Sequence, residues 1–375
     1  MDKENGMLMS LNIEARKKIK VKILYTYRLN PGQSIMENSE LKIASKAIGV
    51  ETKTISQGEI SGYWAHKTFD ELETMYNNKD ISLFRLYENT LKLIAEWKPD
   101  VFIVNHDNLY HNEFIKSIKD KVHTVFVSGD DPENSNNCSK PYVSAYHQSF
   151  AWGVWYDENS KIIDKFREWG APQADIWPHG VYDSRHNANI SLEDLINKPR
   201  KKDIVFVGSP FLKRERLLEI KKHFGSSFEL HGRWVNGSRK RKILRHIKTY
   251  YEFGQFITPI SEEEMIKLYQ NTKVGLNMHL SFGPSNLRTF ELMANGVAQV
   301  VDCKQGIDEW FDIGKDLLVY EDTREAIELM DKLLKDDDYR REIAYNGAKK
   351  VREKYTFTKT FEQLVNDIKK NTNEK

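Results

Sequence analysis

Leu83–Val104 reads LFRLYENTLKLIAEWKPDVFIV. Apolar side chains recur every three or four residues as far as Trp97, the spacing of one helix face. Lys98-Pro99-Asp100 then stops the helix, because the residue before a proline is pushed out of the helical region. Val101–Val104 is a continuous apolar run, which fits a parallel strand buried on both faces. The same alternation extends in both directions. Upstream, Ile19–Tyr25 (IKVKILY) reads as a strand, Asn30-Pro31-Gly32 as a turn and Met36–Ala47 as a helix. Downstream, Asn112–Asp120 reads as a helix and Val122–Val127 as a strand, with Ser128-Gly129-Asp130-Asp131-Pro132 as the loop at its carboxyl end; a further helix spans Ser160–Trp169. Helices alternating with apolar strands predict a doubly wound α/β sheet.

A second series starts after a lysine-rich polar stretch that ends at Lys202. Strands are expected at Ile204–Val207, Phe228–Leu230, Lys273–Met278 and Val297–Val301, and helices at Glu215–His223, Glu262–Gln270, Asn286–Ala294 and Arg324–Leu334. The chain therefore divides into a Rossmann-like half at 1–180, a linker at 181–202, a second Rossmann-like half at 203–355, and a C-terminal helix at 356–375 that packs back on the first half. Its 375 residues suit two domains.

Composition narrows the function classes. Lysine plus arginine less aspartate plus glutamate is 57 − 55 = +2, so the chain as a whole is no polycation for coating nucleic acid, and nucleic acid is set aside as a partner. Cys138 and Cys303 are the only cysteines, too few for a disulfide scaffold. With no window of about 18 apolar residues for a transmembrane span, the expectation is a cytoplasmic protein.

Ligands of open α/β sheets bind beyond the carboxyl ends of the strands. There, Val207-Gly208-Ser209 leaves a strand, and Lys213, Arg214 and Arg216 follow. Gly208 permits close backbone approach, and an arginine can grip phosphate oxygens; the alternative is a solvated first turn of a helix. Within Ser281–Gly296 (SFGPSNLRTFELMANG), Pro284-Ser285 marks a helix start and Gly296 its end. Free amides around Ser285, Asn286 and Leu287, at the positive end of the helix dipole, suit an anion. Glu291 then lies about one and a half turns in, placed to accept from vicinal hydroxyls, or else in a rim salt bridge to Arg288 or Lys304.

These residues resemble the nucleotide-sugar signature of group-one glycosyltransferases, carried by Arg288-Thr289-Phe290-Glu291 through Ala294-Asn295-Gly296-Val297. The CgeB-like, spore-maturation branch is the nearest resemblance. Lys98-Pro99-Asp100-Val101, Asp130-Asp131-Pro132, Trp177-Pro178-His179-Gly180-Val181, Phe206-Val207-Gly208-Ser209 with Arg214, and Tyr339-Arg340 through Tyr355-Thr356-Phe357 follow in the order of that branch. The resemblance implies a GT-B fold, two Rossmann-like domains facing across a cleft, and a hexosyltransferase whose C-terminal half holds a nucleoside diphosphate sugar while the other half presents an acceptor hydroxyl. It also implies that Glu291 binds the donor ribose, Arg214 the diphosphate, and the amides of Ser285 to Arg288 the phosphate oxygens. One position departs: the wider family has a second glutamate eight residues before Glu291, where this chain has Gly283.

Charge developing on the leaving phosphate is met by Arg214 and the helix amides, so no metal and no cofactor are expected. Asp130 is the candidate general base or acceptor ligand, with metal ligation or loop capping as its alternatives; His106 and His179, in strand-end loops, are candidates for the same cleft. Phe150–Tyr156 reads as core, and Tyr63 and Trp64 as a possible acceptor lining. Arg239–Lys248 (RKRKILRHIK) reads as a solvated, partly amphipathic helix, with attraction of nucleic acid or anionic lipid as its alternative. The rival functions are a nucleotide-sugar epimerase or hydrolase on the same fold, and a noncatalytic scaffold.

Overall fold

The computed structural model describes residues 21–26, 31–65, 67–105, 109–129, 137–153, 161–210, 213–235, 239–279 and 284–373. In the N-terminal half the order is β1 (Lys22–Thr26), α1 (Pro31–Ile48), β2 (Glu51–Ile55), α2 (Gln57–Ser61), α3 (Phe69–Asn77), α4 (Ile81–Trp97), β3 (Val101–Asn105), α5 (Asn112–Ile118), β4 (His123–Ser128), β5 (Gln148–Trp152), α6 (Ile162–Glu168) and β6 (Ala174–Trp177). The strands form a wholly parallel sheet in the order β2-β1-β3-β4-β5-β6. The second half continues with α7 (Leu192–Asn197), β7 (Lys202–Val207), α8 (Arg214–Phe224), β8 (Phe228–His231), α9 (Arg239–Phe253), α10 (Glu262–Gln270), β9 (Thr272–Asn277), α11 (Leu287–Ala294), β10 (Ala298–Asp302), β11 (Leu318–Tyr320), α12 (Thr323–Lys335), α13 (Asp337–Lys354) and α14 (Phe357–Asn373). Its sheet is also parallel, ordered β11-β10-β9-β7-β8.

The stretch that predicted this architecture shows why it forms. Asp80 caps α4 by accepting from the Leu83 N–H at 2.9 Å. Leu83, Leu86, Tyr87, Thr90, Ile94 and Trp97 make the buried face, and Lys98 ends the helix in the left-handed region at φ 51° before Pro99. β3 follows with every residue buried. Each leucine so buried stabilises the half by about 1.5–3 kcal/mol.

The halves are joined twice. Val181 donates to the Tyr355 carbonyl and accepts from the Phe357 N–H, both at 2.8 Å, so the outgoing and returning chains run side by side. Past that crossing, Phe357, Phe361, Leu364, Val365 and Ile368 of α14 join a core with Ile23, Ile103, Val125 and Phe150 of the first sheet.

The polar stretch before Lys202 is more than a spacer. It carries α7 and a single 3-10 turn, Asp183–Arg185. The Arg200 guanidinium donates to the carbonyls of Tyr269, Thr272, Leu195 and Asn295, and Arg352 donates to those of Ala294, Ile190 and Asn187. Polar residues look like linker by composition, but here Arg200 ties the stretch to the second half, and Arg352 of α13 ties back to it.

Candidate donor site

The carboxyl ends of β7, β9 and β10 lie next to one another in the second sheet. Gly208 leaves β7, its N–H bonded to the His231 carbonyl at 2.8 Å, its own carbonyl accepting from Trp234 Nε1 at 2.7 Å. A Cβ on Gly208 would run into the Arg288 guanidinium. Gly232, at φ 140°, lies with its Cα against the Gly208 carbonyl, where a Cβ has no room. Ser209 is exposed just beyond.

α11 begins one residue later than the sequence suggested. Asn286 is its cap, accepting from the Thr289 N–H at 3.0 Å while the Thr289 hydroxyl accepts from the Asn286 N–H at 3.3 Å. Asn277, wholly buried at the end of β9, anchors this end: its Nδ2 donates to Thr289 Oγ1 at 3.0 Å and to Asn286 Oδ1 at 3.2 Å, and its Oδ1 accepts from Arg288 at 3.0 Å. The first-turn N–H groups of Leu287 and Arg288 have no acceptor among the described residues. Ser285 is buried, with its hydroxyl 3.3 Å from Nδ1 of His179. His179 itself is packed against Trp152 and Phe290, so it sits where the two halves meet.

Two cations converge on these strand ends. Lys213 is 7% exposed and donates to the Met278 carbonyl. Arg288 lies with its guanidinium 5.0 Å from the Phe206 ring centroid, and the Lys213 ammonium is 5.7 Å from the same centroid. Among the described residues neither has a carboxylate at ion-pair distance. Burial, then the neighbouring Arg288 and Lys304, push the Lys213 ammonium down to about 8, with Asp302 opposing. Arg214, the arginine singled out by sequence, is placed differently: its guanidinium is ion-paired with Glu252 and lies over the rings of Phe253 and Trp234.

Glu291 is no rim residue. It is 5% exposed and ion-paired with Arg185, which also holds Glu262. The partner comes from the connecting segment rather than from Arg288 or Lys304, and no sequence spacing pointed to it. Next to β9 and β10, the buried His279 donates from Nδ1 to Asp302 at 2.7 Å, and its Nε2 has no partner among the described residues. Burial lowers the His279 pKa below the usual imidazole range, while its bonds hold Asp302 below the usual carboxylate range against the effect of burial. Asn277, Lys213, Arg185 and the His279–Asp302 pair are the neighbours that sequence reasoning did not bring together.

Asp130, His106 and Gly283 lie outside the described residues. In the first half, Phe150 and Trp152 are core, as read. Tyr63 is bonded to Asp80 at 2.9 Å, and the exposed Trp64 rests on Gly58.

Residues 211–366 match the family described as "Glycosyl transferase-like". Sucrose-phosphate synthase from Thermosynechococcus elongatus superposes with a TM-score of 0.62 at 13% identity, over 93% of this chain and 99% of that one. An Anabaena protein in complex with UDP-glucose gives 0.55 at 12%, over 93% and 99%. A putative UDP-N-acetylglucosamine 2-epimerase from Listeria monocytogenes gives 0.56 at 12%, over 95% and 98%. The fold is of the GT-B type. No curated protein matches the chain. At such identities the structural likeness speaks for the fold, which serves both transferases and an epimerase. The match to the glycosyl transferase-like family covers Lys213 and α11, while Gly208 and Arg185 precede it.

Proposed function

We propose that this protein transfers a sugar from a nucleoside diphosphate donor to an acceptor hydroxyl, with the donor held at the strand ends of the second half. The observation that carries this reading is the pair Lys213 and Arg288, two cations at one strand edge with no carboxylate partner among the described residues. Uncompensated buried charge is costly, and an anion seated between them offsets that cost. A diphosphate there would accept from Lys213, from Arg288 and from the first-turn N–H groups of Leu287 and Arg288, and Gly208 would leave room for its backbone approach. Glu291 would accept from the ribose hydroxyls with Arg185 holding its carboxylate in place. Arg214 would act one step removed, tying α8 to α9 through Glu252.

The donor bond breaks as negative charge develops on the leaving phosphate, and the fixed cations and amides stabilise that charge without reorganising. Asp130 and His106 keep their roles as acceptor-side candidates, Asp130 for taking the acceptor proton. Uridine nucleotides are the first donors to try, since the Anabaena neighbour is a UDP-glucose complex. A thermal-shift screen of nucleotide sugars, followed by product analysis with and without candidate acceptors, tests the reading. A glycosylated acceptor supports it; an epimerised donor or free sugar alone assigns the site to the epimerase or hydrolase reading.

Two expectations follow from the cationic site. Because side chains and amides carry the phosphates, transfer should proceed undiminished in excess chelator; activity abolished by EDTA and restored only by a divalent ion would contradict this. The second concerns pH. Lys213 serves an anion only while protonated, and its free-state pKa is about 8. Nucleotide-sugar affinity should therefore be level below pH 8 and fall above it, by up to about tenfold per pH unit. Calorimetric titration across that range checks the slope, and a flat profile would remove Lys213 from the phosphate site.

A further inference from the structure

We propose that α9 docks the protein on an anionic membrane surface. Its first ten residues, Arg239–Lys248, hold six lysines or arginines and no acidic residue, in a chain whose net charge is only +2. One side of the helix is anchored: Thr249 and Phe253 are buried, Phe253 lies edge-on to Trp234 with centroids 5.1 Å apart, and Glu252 takes Arg214. The opposite side is apolar and open. Ile243, Leu244, Ile247, Tyr250 and Tyr251 share about a third of the helix circumference at 100° per residue, and all are exposed, Leu244 to 68% and Tyr251 to 82%. Phe256, just beyond the helix and 61% exposed, stacks on Tyr250 with centroids 4.6 Å apart and extends the stripe.

Isolated exposed apolar residues are ordinary, but six on one face are an interaction surface. The flanking charge decides the occupant. A basic amphipathic helix with aliphatic and aromatic side chains on its open face lies in the bilayer interface, apolar groups among the acyl chains and cations at anionic headgroups. Nucleic acid would use the cations and leave isoleucine and leucine with nothing to contact. No helix among the described residues is long and apolar enough to cross a membrane, so the attachment is peripheral. The inference is independent of the donor reading, because its test reads binding and not transfer.

The test is co-sedimentation of the 375-residue protein with vesicles of phosphatidylcholine alone and of phosphatidylcholine mixed with equal phosphatidylglycerol, at low and high salt. Retention on the mixed vesicles, reduced by salt and weak on phosphatidylcholine alone, is expected. The triple variant Leu244→Glu, Ile247→Glu, Tyr251→Glu changes only exposed positions, should melt with the wild type, and should bind the mixed vesicles about tenfold or more weaker. No retention on mixed vesicles overturns the proposal, as does equal retention of a folded triple variant. Salt-sensitive binding of an oligonucleotide in place of vesicles would assign the helix to nucleic acid instead.

Discussion

Lys213→Met should keep the fold and lose the donor. The methionine fills the same slot without a charge, so the melting temperature holds or rises, because a buried ammonium lacking a carboxylate partner among the described residues costs stability. Donor affinity should fall by about 1.5–3 kcal/mol, or roughly 10- to 150-fold, the scale of a charge-assisted hydrogen bond to phosphate. Arg214→Ala is the companion. It breaks a half-exposed pair with Glu252, worth about 0–1 kcal/mol of stability, and should leave affinity within a few-fold. The reverse pattern, with Arg214 indispensable and Lys213 silent, would return the diphosphate to the arginine that the sequence first suggested.

Glu291→Ala should damage binding and fold together. The sequence reading, with Glu291 on the rim, predicts an unaffected fold. Its burial and its pairing with Arg185 predict a fall in melting temperature, since the substitution removes the buried carboxylate that Arg185 pairs with. Two ligands separate the roles. If the carboxylate accepts from ribose, its loss should weaken nucleoside diphosphate binding by about 1–3 kcal/mol and leave inorganic pyrophosphate binding nearly unchanged. Glu291→Gln retains an acceptor for Arg185 and should recover most of the melting temperature. Equal weakening of both ligands would make Glu291 a structural residue only.

The fold was legible where burial leaves a mark on composition. β3, β4 and β7 are interior strands, and their continuous apolar runs announce them. β2, Glu-Thr-Lys-Thr-Ile, is an edge strand with one buried residue, held by its ladder to β1 rather than by its own side chains, so no pattern marked it. β11 is a three-residue edge strand and was equally silent.

The site was half legible for a related reason. Gly208 and the start of α11 are local features that turn and capping chemistry expose. The pairing of Arg185 with Glu291 spans 106 positions, and the choice between Lys213 and Arg214 turns on which face of the first turn of α8 meets β9. Adjacent residues in one basic run cannot be told apart by composition. Only the packing of Lys213 against Met278, with Arg214 drawn to Glu252, separates them.

The most direct test of the donor site is calorimetric titration of the protein, in EDTA at pH 7, with uridine, guanosine and adenosine diphosphates and their sugar conjugates, beside Lys213→Met and Arg288→Met. The donor site predicts saturable binding of at least one nucleotide family by the wild type, and its loss in both variants while they melt normally. No binding of any nucleotide by the folded wild type, or binding that both variants retain, would contradict it.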